Sequence, residues 1–557
     1  MKRSTALILL VLVLLTFSTL VFHQLSDQGF LNFDPAEYLL EAKFVSEGLH
    51  MLKTLNPRDF HQQGFWEDIK TKTNGIPPGY ARPGYILILW AVGTLTKFSD
   101  TMIQGVTAVC GILGLYLTFL VAKKIGGLPC ALYATTVLVS STFYMVYARG
   151  GMVELLTANL FLLGTYWYLR SLDSRATAGV YWTGLAAGYA FATNHWRSTY
   201  VPAVLIFMDC VAALQQRWDL KFLLRRVAFF ALGFLTLLVV FQVPYVIATL
   251  VVGPLPPLIR SYWTQVIGWW NYGIASGKYW FHDIGELARC FWTIEGPIWS
   301  TLVVAGWIFL IARTLRKKRL EDILILCSSF IPFLFLSLTK SQGVCFSRPA
   351  VGLIPPACIA VGQMFWGVQS YLESRWSRMV NIRTGVVLAV MVAMLGFSIP
   401  RITQFGMAAT GYAQAKLYLG ATGEKKFLIL GNERIWRYYL GRHAFDTYTT
   451  AQTTKEWVLR AHAQGTRYGI VDYSTLYSQY AYEYVSHLVG RCRPIAVIPN
   501  PRGNSLAYLI DDLGFEGARV VSRDPFAGFI FVYSMNDIVQ SLERFASEPS
   551  VGPRVHL

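Results

Sequence analysis

The sequence predicts a polytopic α-helical membrane protein, with about eleven transmembrane helices plus juxtamembrane helices and a small soluble α/β domain at its C-terminal end. Three observations predict it. Of the 557 residues, 54% are hydrophobic and only 15% charged, whereas an ordinary soluble protein is about a quarter charged. Apolar runs of 16 to 24 residues recur along the first 400 positions, each about long enough to cross a hydrocarbon core of roughly 30 Å at 1.5 Å per residue. From about residue 401 the pattern changes to short apolar strands alternating with helical stretches.

The predicted spans are residues 5–23, 102–122, 128–147, 151–170, 179–195, 199–214, 227–250, 297–314, 323–338, 350–372 and 385–400. Residues 5–23 follow Met-Lys-Arg but precede no small-x-small cleavage site, so they read as a retained first span rather than a signal peptide. A twelfth apolar stretch, 83–98, decides the topology, because counting it as a crossing inverts every later loop. With it left on the outer side, the cytoplasmic segments hold Lys2/Arg3, Lys123/Lys124, Arg170/Arg175, Arg217/Lys221/Arg225/Arg226, Arg313/Arg316/Lys317/Lys318/Arg319 and Arg375/Arg378/Arg383, as the positive-inside bias requires. The stretch is therefore expected to be a juxtamembrane or re-entrant helix beginning at Pro83, where a missing N–H costs nothing. The expected organisation is a transmembrane domain over 1–400 with a first outer loop at 24–101, and a periplasmic α/β domain over 401–557. In the latter, 426–430, 468–473, 494–500, 505–511 and 529–534 read as strands and 475–490 as a helix.

The net charge of +17 lies mostly in short loops between apolar runs, which is a topological signal and not a nucleic-acid footprint. No GxGxxG or GxxxxGK[ST] occurs in the C-terminal domain, so nucleotide binding has no support. The eight cysteines form no CxxC pair; Cys110, Cys130, Cys210, Cys327 and Cys358 lie in or beside apolar runs as small buried hydrophobes. No Asn-x-Ser/Thr acceptor occurs, which makes a bacterial inner membrane the expected location, with the N-terminus cytoplasmic.

Ionisable residues gather at the outer ends of the spans. NFDPAEYLLEAKFVSEG (32–48) places Asp34 just after the first span and Glu37 one helical turn later, two carboxylates on one face. The bland account is a helix start with Asp34 as N-cap and Pro35 at N1. YARGGMVELL puts Arg149 and Glu154 at the next outer junction. An ionisable residue inside a span is expensive unless it faces a cavity or a partner, and an ion pair with Arg149 is the structural alternative. TNHWRSTY presents His195 and Arg197 on the same side, where a snorkelling Arg beside an interfacial Trp196 is the plain account. LTKSQGVCFSRPAVGLIPP presents Lys340 and Arg348, cations suited to phosphate. The loop 251–296 is rich in aromatics, Trp269 and Trp270 among them, beside His282, Asp283 and Glu295. Such rings stack on sugar faces or anchor a protein at the lipid interface. Together these features suggest one outward-facing cavity for a polar, phosphate-bearing lipid.

On NFDPAEYLLEAKFVSEG, IPPGYARPGYILILW (76–90), YARGGMVELLTANLFLLGTYWYLRS (147–171), GLAAGYAFATNHWRSTYVPAVL (184–205) and FSRPAVGLIPPACIAVG (346–362), in that order over residues 1 to about 370, the chain resembles the C superfamily of membrane glycosyltransferases. Within it, the chain most resembles the family of protein O-mannosyltransferases and the lipid A aminoarabinose transferase. Two departures are visible: the family's second acidic site, usually Asp, is Glu154, and its Lys-Pro-Pro-Leu segment is Arg82-Pro83-Gly84-Tyr85. The resemblance implies inverting transfer of a sugar from a polyprenyl-phosphate-linked donor to a hydroxyl acceptor on a lipid, glycan or protein, at the periplasmic face. Asp34 would be the general base, since a modest base held within hydrogen-bond reach suffices for that step. Glu154 would position acceptor or donor sugar; Arg348, Lys340 and Arg197 would neutralise the departing lipid phosphate. Glu37, Arg82, Arg149, His195, Trp269 and Trp270 complete the expected substrate-binding set. Superfamily members differ in metal dependence, which leaves a divalent metal open as cofactor, and no compact ligand motif marks a site.

Two rivals remain. WWNYG (269–273) is similar to the WWDYG signature of the oligosaccharyltransferase catalytic subunit, with FDP and TIE as further matches, but that signature belongs to the family's C-terminal soluble domain and its acid is Asn271 here. A transporter or lipid flippase would also place charge in a membrane cavity; internal repeats and mid-span charges, its expected marks, are not found in the sequence.

Overall fold

The computed structural model describes residues 3–52, 72–76, 82–174, 177–195, 198, 200–252, 260–275, 285–338, 348–375, 383–431, 433–441, 445–447, 454–472, 485 and 487–547. The membrane part is built from α1 (Arg3–Phe22), α2 (Phe33–Leu52), α3 (Pro83–Leu95), α4 (Asp100–Val139), α5 (Thr142–Arg149), α6 (Glu154–Ser174), α7 (Thr177–Thr193), α8 (Tyr200–Gln216) and α9 (Leu220–Val252). It continues through α10 (Tyr262–Ala275), α11 (Glu286–Glu295), α12 (Pro297–Lys317), α13 (Leu320–Ser328), α14 (Phe330–Leu338), a 3-10 segment (Arg348–Leu353), α15 (Ile354–Arg375) and α16 (Arg383–Gly406).

Six helices among the described residues are long and apolar enough to cross a membrane: Ser4–Asp27, Asp100–Val139, Leu220–Leu250, Pro297–Lys317, Ala350–Arg375 and Thr384–Gly406. Apolar side chains such as Leu7, Leu232, Ile308 and Val392 stand exposed on them, as lipid-facing residues do. Of the other expected spans, 151–170 is the 21-residue α6, and 179–195 and 199–214 are the 17-residue α7 and α8. Residues 102–122 and 128–147 become α4 and α5; α4 is interrupted at Gly127, whose φ of 80° lies in the left-handed region. The expected span at 323–338 is two nine-residue helices, α13 and α14, meeting at Ser329. The stretch at 83–98 is helical, α3, with Pro83 in its first turn.

Close packing of α7 and α9 rests on glycine. A Cβ on Gly184 would stand 2.1 Å from the Phe230 carbonyl oxygen, one on Gly188 2.3 Å from that of Phe234, and one on Gly233 2.2 Å from that of Tyr181. Small residues four apart let two backbones meet, the usual route to helix association in lipid. Near these helices, Arg226 donates to Asp209 from Nε (3.1 Å) and Nη2 (2.8 Å) and to the Ser171 hydroxyl (3.1 Å). Both charges are buried and therefore need one another.

After α16 come α17 (Tyr412–Ala421), β1 (Phe427–Leu430), α18 (Glu433–Leu440), β2 (Phe445–Thr447), α19 (Thr454–Ala463), β3 (Tyr468–Asp472), β4 (Ala496–Pro499), α20 (Leu506–Val521), β5 (Phe529–Ser534) and α21 (Met535–Ser547). The five strands form one mixed sheet ordered β2-β1-β3-β5-β4, parallel from β2 to β3 and antiparallel across β5. Phe427, Ile429, Ile470, Ile530 and Val532 face α2, α17 and α18, while Leu428, Leu430, Val471, Phe531 and Tyr533 join the core that holds α20 and α21. Burial on both faces is why β1, β3 and β5 read as continuous apolar runs.

The strand expected at 505–511 is instead the start of α20, a 16-residue helix. Periodicity cannot separate a buried helix from a buried strand, and Leu506, Ala507, Tyr508, Leu509 and Ile510 are all buried. Tyr508 donates to the Gly406 carbonyl (2.8 Å) and the Phe515 N–H donates to Glu286 (3.3 Å), so this helix is pressed between the sheet and the membrane part. The strand β2 was not expected; of the helix expected at 475–490, residues 485 and 487–490 are helical and the others lie outside the described residues.

Candidate active site

Asp34 sits in the first turn of α2, only 7% exposed. Its Oδ2 accepts from the Tyr38 hydroxyl (3.2 Å), one turn on, and from Nη1 of Arg348, which opens the 3-10 segment and is itself buried. Arg82, just before α3, donates to the same Tyr38 hydroxyl and lies with its guanidinium carbon 4.9 Å from the ring centre. Burial alone would raise the Asp34 carboxyl, but the charges of Arg348, Arg82 and Arg434 outweigh it and hold Asp34 below the usual carboxylate range. The expected capping acids are thus engaged by distant cations: Asp34 by Arg348, and Glu37 by Arg434, 3.1 Å away on α18.

A second layer ties this carboxylate to α6. Tyr38 meets Tyr85 edge-on with ring centres 5.5 Å apart, and the Tyr85 hydroxyl donates to the Gly151 carbonyl (2.9 Å). Gly151 has φ +76°, and a Cβ there would stand 2.9 Å from Pro35, so only glycine lets this junction approach α2. Three residues on, Glu154 opens α6, buried, and accepts from Asn194 Nδ2 (3.4 Å) at the end of α7. His195 follows, buried, its ring 6.1 Å from that of Phe191.

Arg149, at the end of α5, is buried and turned toward α1. Its Nη1 donates to the carbonyls of Leu20 (3.1 Å), Val21 (2.9 Å) and His23 (2.8 Å), closing the C-terminal end of α1, where a cation is favoured. It fixes α1 against α5 instead of pairing with Glu154. At the other end of α5, Glu295 accepts from the Ser141 hydroxyl (2.6 Å) and the N–H groups of Thr142 (2.7 Å) and Phe143 (3.1 Å). Lys340 and Arg197 lie outside the described residues; Trp269 and Trp270 belong to α10, of which the backbone there is described. The WWNYG segment therefore lies within the helical part, apart from the C-terminal sheet.

Residues that follow α16 reach the site directly, which no sequence signal indicated. Arg434 pairs with Glu37; Arg437 donates to the carbonyls of Asn74 (3.2 Å) and Gly75 (2.6 Å). Arg502 donates to the Leu31 carbonyl, and the Thr410 N–H to that of Gln28 (2.9 Å). Tyr38 was also missed, though its i+4 spacing from Asp34 was available to read. Beyond Arg348, an apolar cavity of about 140 Å³ is lined by Trp299, Trp307, Phe333, Leu353 and Ile354. Among the described residues no group of three or more His, Cys, Asp or Glu could hold a metal ion.

No protein-family model and no curated protein matches this sequence. Solved structures do. That of ArnT from Cupriavidus metallidurans bound to undecaprenyl phosphate matches with a TM-score of 0.54 and 14% identity, over 96% of this chain and 98% of that one. The oligosaccharyltransferase AglB from Archaeoglobus fulgidus, in complex with an inhibitory peptide and a dolichol-phosphate, matches with a TM-score of 0.53 and 11% identity, over 84% of this chain and 69% of that one. At such identities the likeness is one of fold: this chain shares the polytopic membrane fold of those two proteins.

Proposed function

We propose that this protein is an inverting glycosyltransferase that moves a sugar from a polyprenyl-phosphate-linked donor to a hydroxyl acceptor, on the periplasmic face of a bacterial inner membrane. The observation that carries the reading is the buried pairing of Asp34 with Arg348, a base and an anion-binding cation brought together from opposite ends of the helical part. Two of the structures that share the fold hold undecaprenyl phosphate and dolichol-phosphate. The apolar cavity beside the Arg348–Leu353 segment offers such a lipid a place for part of its tail.

In this reading the acceptor oxygen attacks the anomeric carbon while its proton passes to an Asp34 carboxylate oxygen. The bond from that carbon to the phosphate oxygen breaks, and the electron pair leaves with the polyprenyl phosphate. A carboxylate clamped by a guanidinium is a weak base. The donor phosphate, competing for Arg348, loosens that clamp and adds negative charge nearby, and both effects raise the basicity of Asp34. The base is thereby armed only when the donor is in place. Arg348 then compensates the charge that grows on the leaving phosphate, with Lys340 and Arg197 assigned to the same task. Glu154, held by Asn194, orients a sugar hydroxyl. The division of the chain near residue 400 and the outer loop at 24–101 belong to the same proposal.

The test is turnover of reconstituted protein on a panel of radiolabelled polyprenyl-phosphate sugars, wild type against Asp34→Asn, with and without chelator. Loss of a general base lowers turnover by about two to four orders of magnitude. Unchanged turnover in Asp34→Asn removes Asp34 from the mechanism, and absence of turnover on every donor favours a transporter.

A further inference from the structure

Glu37 stands one helical turn after Asp34 on α2, and two carboxylates at that spacing repel one another. Both are nearly buried, which strengthens the repulsion. Asp34 is compensated by Arg348; the cation beside Glu37 comes from the other part of the chain, Arg434 of α18. That helix is held from several directions. Arg437 grips the carbonyls of Asn74 and Gly75, the Tyr439 hydroxyl donates to Asp100 (2.7 Å), the Asp100 N–H donates to the Tyr438 hydroxyl (3.2 Å), and Trp436 meets Tyr412 edge-on. Arg434 is thus delivered to Glu37 by a rigid surface.

We propose that Arg434 is a positioning residue for Asp34: by neutralising Glu37 it keeps the Asp34 carboxylate ionised and paired with Arg348. The docked C-terminal domain thereby completes the charge balance of a site whose reacting groups all lie on the membrane part. The catalytic meaning of this assignment rests on Asp34 being the base. Among the described residues, the charged and titratable groups on α2 and on the elements near its start include Glu37, Tyr38 and Glu41, Arg82 and Tyr85 at α3, Arg348, Glu154 on α6, and Arg434, Arg437, Tyr438 and Tyr439 on α18. Of these, three guanidiniums, those of Arg348, Arg82 and Arg434, hold the Asp34 carboxyl down. Without Arg434, two adjacent acids share the remaining two, and protonation of one becomes the least costly relief.

The experiment labels the reconstituted full chain with a hydrophobic carbodiimide, which reacts with protonated carboxyls in apolar surroundings, between pH 3 and 8. Mass spectrometry follows the peptide that carries Asp34. Arg434→Gln is expected to move the half-labelling pH of Asp34 upward by about one unit, the scale of a lost neighbouring charge. Arg434→Lys stays near wild type, and Glu37→Gln placed in Arg434→Gln restores the wild-type midpoint. A latch that merely held the domains together would lower the melting temperature and leave the midpoint unmoved; that result, or failure of the double variant to restore it, overturns the proposal. Because labelling needs no turnover, its outcome is separate from that of the donor panel. If Asp34→Asn retains full transfer, the base assignment fails while the charge coupling is still decided.

Discussion

Asp34 and Arg348, 314 positions apart in sequence, form a buried ion pair at the start of α2 and at the turn that leads into α15. Each would be costly to bury alone. Together, with Tyr38 donating to the same carboxylate oxygen, they offset each other's charge. Arg348→Ala is expected to weaken binding of polyprenyl phosphate about tenfold or more, since a hydrogen bond to a charged group contributes roughly 1.5–3 kcal/mol. Titration of the reconstituted protein with that lipid measures it, and equal affinity in the variant would place the phosphate elsewhere.

The same pair predicts a pH dependence. Asp34 titrates in the folded protein below its ordinary value of 3.8, so the folded state binds fewer protons there than the unfolded chain. Its contribution to stability is then fully present above pH 3.8 and is lost as pH falls through the lower, folded-state value. Asp34→Asn should melt below wild type at pH 7, and the difference should shrink on acidification past pH 4 or so. A difference that stays constant from pH 7 to pH 3 contradicts this account.

Arg226 and Asp209 test the membrane scaffold independently of the site. Arg226→Ala leaves the Asp209 carboxylate buried without its bidentate partner, at a cost of about 3–5 kcal/mol. Arg226→Met with Asp209→Leu should recover most of that stability, because replacing both charges removes the desolvation penalty. Thermal unfolding in detergent reads both variants.

The α7–α9 contact is a second scaffold test. Gly188→Leu inserts a side chain where a Cβ would already meet the Phe234 carbonyl at 2.3 Å, and overpacking of this kind costs about 1–3 kcal/mol. Gly385→Ala on α16, where a Cβ meets nothing within 4 Å, should leave the melting temperature within a degree or two of wild type.

Orientation is checked with a single cysteine. Lys425→Cys, exposed just before β1, in a variant lacking the native cysteines, should react with a membrane-impermeant maleimide in intact cells. Reaction only after permeabilisation would invert the assigned topology.

The sequence by itself determined that the chain is a membrane protein, because hydropathy is a local property: a run such as 5–23 or 385–400 can satisfy its backbone in lipid only as a helix. It also determined four of the five strands, whose β-rich apolar runs are short and bounded by turn residues. Asp34, Glu154 and Arg348 were legible as candidates because a charge beside a span demands a reason. The tertiary structure decided what each of them touches. Arg149 and Glu154, five residues apart, looked like partners, yet Arg149 closes α1 and Glu154 meets Asn194. The stretch 505–511 reads alike as a buried helix or a buried strand, and it is the start of a helix. Arg434 stood nearly 400 residues from Glu37 with nothing in its neighbourhood to mark it. Pair identity is a property of the packed chain: a charge selects its partner by distance in space and by the cost of burial without one, and neither quantity is written locally in the sequence.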